Sequence, residues 1–162
     1  MNQKLLLLPK LTLIAGVFLA GLDYIYLRVV VFMNRPLGSL SLAQVERMNA
    51  VYSVLIWIIS ITAIVIIGMK AQKQLSRAQI IKSSMLLCGY YVTFLIFQNV
   101  LQTQGVYNLG LHALLVLPVS VFSFASEIML MIFKTFSWLY VIPAVIMPLV
   151  FILFAKPDHP AP

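Results

Sequence analysis

Asn49 to Met69 is a run of 21 residues without one charged side chain. As a helix rising 1.5 Å per residue it is about 31 Å long, the thickness of a bilayer's hydrocarbon core. The rest of the chain agrees with it. Of 162 residues, 62% are hydrophobic and 9% are charged, against about 25% charged in soluble domains. So few charges cannot clothe so much apolar surface in water. An ordinary soluble enzyme, a disordered tail and a disulfide scaffold are excluded. The expected fold is an all-α integral membrane protein in one domain, a four-span helix bundle with an additional apolar outer or re-entrant segment.

The spans are expected at 11–33, 49–69, 82–101 and 136–154. The first apolar stretch, Leu5 to Met33, is interrupted by Pro9, Lys10, Asp23 and Arg28. It reads as an uncleaved span, not a signal peptide, because Phe18-Leu19-Ala20 lacks the small residue three places before the cut and the apolar run resumes past Asp23. Ser41-Leu42-Ala43-Gln44 and Ser76-Arg77-Ala78-Gln79 both have the Ser-x-x-Gln capping-box form, so helices are expected to open after them. Gly105 is the expected stop of the third helix. Pro143 and Pro148 should kink the last.

The segment 106–126 is apolar but carries His112, Pro118 and several serines, and Glu127 comes directly after it. A charged residue near a span's centre costs about 2.5–3.5 kcal/mol on insertion scales, and each Leu or Ile returns only about 0.3–0.6. This segment is therefore expected on the outer surface or as a re-entrant element, broken at Pro118. The tail 157–162 is expected to be disordered.

Basic residues set the expected orientation. Lys70, Lys73, Arg77 and Lys82 stand in one connection without an acid. That loop should face the cytoplasm, and with it both termini. The inner side then holds seven basic residues and the single acid Asp158. The outer side holds Arg28, Arg35, Arg47 and Lys134 against Asp23, Glu46 and Glu127. The net charge of +7 thus reads as orientation and attraction to anionic lipid, not as nucleic-acid binding. A plasma membrane, the bacterial inner membrane by default, is the expected location.

Three polar residues stand out as candidates. Asp23 lies within an apolar run, where an ionisable group is by default a functional hypothesis. An interfacial place between Tyr24 and Tyr26 is the simpler expectation, and Arg28 does not share its face. Glu127 is expected in the first turn of the last helix, with Ser126 as its cap. A meeting of Asp23 with Glu127, sharing a proton or a cation, is the sharper and more remote idea. His112 is expected at an interface. Gly16 and Ala20 form a small-x-x-x-small pair suited to helix contact. Trp138 and Tyr140 suit an aromatic belt.

No HExxH, CxxC, GxSxG or Gly-rich phosphate loop occurs, and the single cysteine, Cys88, excludes an intrachain disulfide. No catalytic, cofactor or metal residues are therefore expected. The first expectation for function is a non-catalytic accessory, assembly or immunity-type subunit acting through helix–helix contacts. Its partners would be the lipid bilayer and another membrane protein or a second copy. The alternative is a small oligomeric transporter or channel with an intramembrane carboxylate. A membrane enzyme acting on a lipid at the outer surface ranks third.

Overall fold

The computed structural model describes residues 3–33, 40–106, 108–133 and 141–156. These residues form helices and short connections, with no strand among them. A 3₁₀ turn, Gln3–Leu6, leads into α1 (Leu7–Met33). Then come α2 (Leu42–Gln74), α3 (Arg77–Thr103) and α4 (Leu109–Val116). A 3₁₀ turn, Ser120–Phe122, precedes α5 (Phe124–Phe133). Last is α6 (Val141–Ile146), which continues as a 3₁₀ helix, Met147–Phe154. The first five residues expected in the fourth span, including Trp138 and Tyr140, lie outside the described residues, as does the tail 157–162.

The local signals explain where the long helices start and stop. Ser41 and Ser76 each accept from the backbone N–H three residues on, and Gln44 and Gln79 reach back to the cap N–H. Both reciprocal capping boxes therefore form. Leu75 and Ser76 alone join α2 to α3. At the far end of α3, Gly105 takes φ +70°. Its N–H donates to the Gln102 carbonyl, and the Val106 N–H to that of Leu101. This is the glycine-stopped Schellman arrangement, which satisfies two terminal carbonyls. Pro9 does not interrupt α1, because in the first turn its missing N–H has no intrahelical role.

Three helices, Lys4–Met33 with its leading turn, Leu42–Gln74 and Arg77–Thr103, are long and apolar enough to cross a membrane. Their inward faces are narrow stripes: Leu8, Thr12, Gly16 and Leu19 on α1, and Ser60, Ile64, Ile67, Gly68 and Ala71 on α2. Small and hydroxyl residues alternate with leucine and isoleucine inside, and many large apolar residues such as Ile14, Ile25, Ile58 and Phe32 face outward. Only 17% of the most apolar window of α2 is covered by protein. A water-soluble bundle would show the reverse, so the fold is compatible with a multi-pass membrane protein.

The segment after α3 is buried around its break, between α4 and α5. α4 and the stretch Ser120–Ile132 meet at a 76° bend. α4 runs back along α3: His112 stacks against Phe94 with ring centres 5.5 Å apart, and the Tyr90 hydroxyl donates to the Leu115 carbonyl at 2.7 Å. The break falls at Leu117–Val119, around Pro118, as the missing amide requires. Val119, Val121 and Phe122 are fully buried. Two apolar pieces joined at such a bend have the form of a broken span or a re-entrant loop. From the break, α5 passes Trp57 of α2 and packs on α6.

The last element changes winding at Pro148, where the proline cannot donate an α-helical bond. The 3₁₀ rise of about 2 Å per residue stretches Val141–Phe154 to about 25 Å, where an α-helix would reach about 21 Å. Its end lies at the Lys70 end of the bundle: Phe154 packs on Gly68, and Phe151 meets Phe122 edge to face at 6.0 Å.

Gly16 is the tightest point. A Cβ there would stand 1.8 Å from the Leu117 carbonyl oxygen, a backbone atom, and 2.7 Å from the Ser120 hydroxyl. At Gly68 a Cβ would meet only the Phe154 ring, at 2.6 Å, and at Gly21 nothing within 4 Å. Gly16→Ala should therefore cost about 2–3 kcal/mol or prevent assembly. Gly68→Ala should cost less, and Gly21→Ala should be neutral or stabilising by up to about 1 kcal/mol through helix propensity. Thermal unfolding of the purified chain in detergent gives this order; equal effects at Gly16 and Gly21 would refute the seating of the break.

Candidate functional site

The described residues bring Asp23 and Glu127 to the same helix, α2, by separate routes. Asp23 accepts from the Tyr52 hydroxyl at 2.5 Å. Glu127 Oε2 accepts from the Trp57 indole N–H at 2.8 Å. Tyr52 and Trp57 are five residues apart, about 140° around the helix. One side of α2 thus faces α1 and another faces α5. Both carboxylates lie within electrostatic reach of the Tyr52 hydroxyl, but no hydrogen bond joins them among the described residues. A shared-proton pair needs such a bond, so the geometry gives each acid its own donor.

The Asp23 side is an aromatic stack. The Tyr26 and Tyr52 rings are 3.8 Å apart and within 4° of parallel. Tyr26 donates its hydroxyl to Asn49 Oδ1 at 2.6 Å. One turn of α1 further, Arg28 donates Nε–H to the Tyr24 hydroxyl at 2.9 Å and lies 5.0 Å over the Tyr24 ring. Asp23, Tyr24, Asn49 and Arg28 are exposed and Tyr26 and Tyr52 half-buried. Asp23 does not pair with Arg28, in keeping with their different faces of the helix. The tyrosines flanking it are more than belt residues: Tyr26, stacked on Tyr52, helps to clamp α1 to α2.

The Glu127 side lies nearer the middle of α2. α2 runs from residue 42 to 74, so Trp57 is one residue from its midpoint. Glu127 is half-buried and stands in the first turn of α5. That helix is α5, not the last one as expected from the sequence, and Ser126 is not its cap. The helix opens at Phe124, so Ser126 is already inside it, and the Glu127 N–H donates to the Ser123 carbonyl.

His112 is half-buried against Phe94. No group of three or more His, Cys, Asp or Glu able to hold a metal occurs among the described residues. Gly16 and Ala20 do not act as a pair, since Ala20 is exposed and Gly16 seats the Leu117 carbonyl.

Sequence reasoning passed over Tyr52 and Trp57. They are the only residues in the charge-free run with an aromatic donor. Trp prefers the membrane interface, so a Trp near the middle of such a run was a signal for a buried acceptor.

Trp57→Phe removes the donor and leaves a half-buried carboxylate, which should cost about 1–3 kcal/mol. Adding Glu127→Leu removes the orphaned acceptor too and should recover most of the loss, because deleting both partners is far milder than deleting one. Tyr52→Phe should cost less than Trp57→Phe, since Asp23 is exposed and finds other partners. A double-mutant cycle read by thermal unfolding in detergent checks all three; additive losses at Trp57 and Glu127 would deny the bond.

Comparison with protein-family models, with curated proteins and with solved structures finds no match.

Proposed function

We propose that the chain is a small polytopic membrane protein that acts through helix–helix contacts, as a non-catalytic accessory, assembly or immunity-type subunit. The observation that carries this reading is how the two acids are used. Each carboxylate is bound by an aromatic donor from α2 and ties a neighbouring helix to it. The outward faces of α1 and α2 remain broad and apolar, which suits contact with lipid and a membrane partner.

A transporter-like reading draws on one feature, the depth of Glu127. It sits level with the midpoint of α2, at the start of a half-helix beyond a break. Broken helices at mid-depth are where transporters place their sites. The two readings part on Asp23→Asn with Glu127→Gln, which keeps both acceptors and removes both charges. In a strain lacking the gene, this double variant should restore the phenotype fully if contacts are the function. Failure to restore it at normal abundance would favour charge coupling.

The proposed topology has the amino terminus, the α2–α3 connection and the carboxyl terminus in the cytoplasm. Its support is the basic connection itself and the position of Phe154 beside Gly68, at the Lys70 end. Reporter fusions after Arg77 and after Lys156 should both read cytoplasmic. An external reading at the carboxyl terminus would remove this topology.

A further inference from the structure

An open groove of about 510 Å³ runs along the outward side of α1 and α2, within the roughly 300–1,000 Å³ of small-ligand sites. Half-buried Ala15 and Ala63 form its floor, and exposed Phe18 and Ile58 stand above them. The two alanines leave unfilled what larger side chains would occupy. Thr62 lines the groove too, but its hydroxyl donates to the Ile58 carbonyl of its own helix at 2.7 Å. The wall between Ile58 and Lys70 is thus apolar throughout. Lys70 closes one end, exposed and without a hydrogen bond or ion pair among the described residues.

We infer that this groove holds one acyl chain of an anionic phospholipid, with the headgroup phosphate on the Lys70 ammonium. The length fits: Ile58 to Lys70 is about 18 Å at 1.5 Å per residue, close to the roughly 15 Å depth of one leaflet's hydrocarbon. The width fits as well. One small side chain from each helix, Ala15 and Ala63, leaves a shallow seat between α1 and α2. It suits a single hydrocarbon chain. The charge fits third, because Lys73 and Arg77 stand at the same end with no acid beside them, so the local field favours a phosphate over a neutral headgroup. The inference rests on the membrane-embedded reading above, but not on any partner protein.

The test uses the full chain purified in detergent. It is incubated with palmitoyl-oleoyl phosphatidylglycerol or palmitoyl-oleoyl phosphatidylethanolamine, and retained lipid is counted by native mass spectrometry. One phosphatidylglycerol per chain should be retained, about fivefold over phosphatidylethanolamine, the ratio expected of about 1 kcal/mol per lysine. Lys70→Gln should erase that preference. Thr62→Phe, at an exposed wall position, should cut retention of both lipids about fivefold by filling the groove. Lys73→Gln removes the same charge less than one turn away and should leave the preference within about twofold. Equal retention of the two lipids, or equal losses in Lys70→Gln and Lys73→Gln, would overturn the inference in favour of general attraction to the basic end. A dimer dispersed by Thr62→Phe would overturn it in favour of a second copy in the groove. No partner is present in the assay, so failure of the accessory-subunit reading leaves the count unchanged.

Discussion

A carbonyl oxygen seated on a glycine organises this bundle. Where α4 ends, Pro118 cannot carry the helix on, and the Leu117 carbonyl is left without an α-helical partner four residues later. It comes to rest against Gly16, with the Ser120 hydroxyl donating to it at 3.0 Å. In water such a group could turn outward. Among apolar helices an unsatisfied carbonyl costs several kcal/mol, so the break must lie where protein covers it. Gly16 provides the cover by bringing the α1 backbone close. The burial of Val119, Val121 and Phe122 and the edge-to-face seat of Phe151 on Phe122 all depend on that position.

The same use of hydrogen bonds runs through the core. Thr12 donates to the Leu8 and Pro9 carbonyls, Ser83 to the Leu5 carbonyl, and Tyr90 to the Leu115 carbonyl. Each hydroxyl caps a backbone oxygen near a helix end or a break. Small and hydroxyl residues within the core, with many large apolar ones left outside, suit helices that associate by close packing in lipid.

The long helices were legible because their signals are local. Both capping boxes, the glycine stop at 105 and the charge-free run each act within a few residues, and each formed as the pattern implies. The chain beyond α3 was less legible. Insertion scales weigh Leu against Glu residue by residue, and on that count they mark 106–126 as a poor independent span. They cannot register that Gly16, about a hundred residues earlier, offers a seat for the break. The candidate site was half legible for the same reason. Asp23 and Glu127 are conspicuous as charges, and their partners are aromatic residues that hydropathy treats as ordinary.

That choice of partner bears on function. A lysine or arginine opposite a half-buried carboxylate would fix its charge and add a second ion to be desolvated. An indole N–H satisfies one oxygen and brings a large apolar ring, so it binds at low cost whether the acid is ionised or protonated. A carboxylate held this way serves well as a clasp between helices, because the bond survives changes in its charge. It would serve poorly as a coupling group, whose work depends on the contact being sensitive to protonation. Glu127 meets α2 one residue from its midpoint, yet its partner there is of the kind that a structural clasp requires, and the ranking of the two readings rests on that difference.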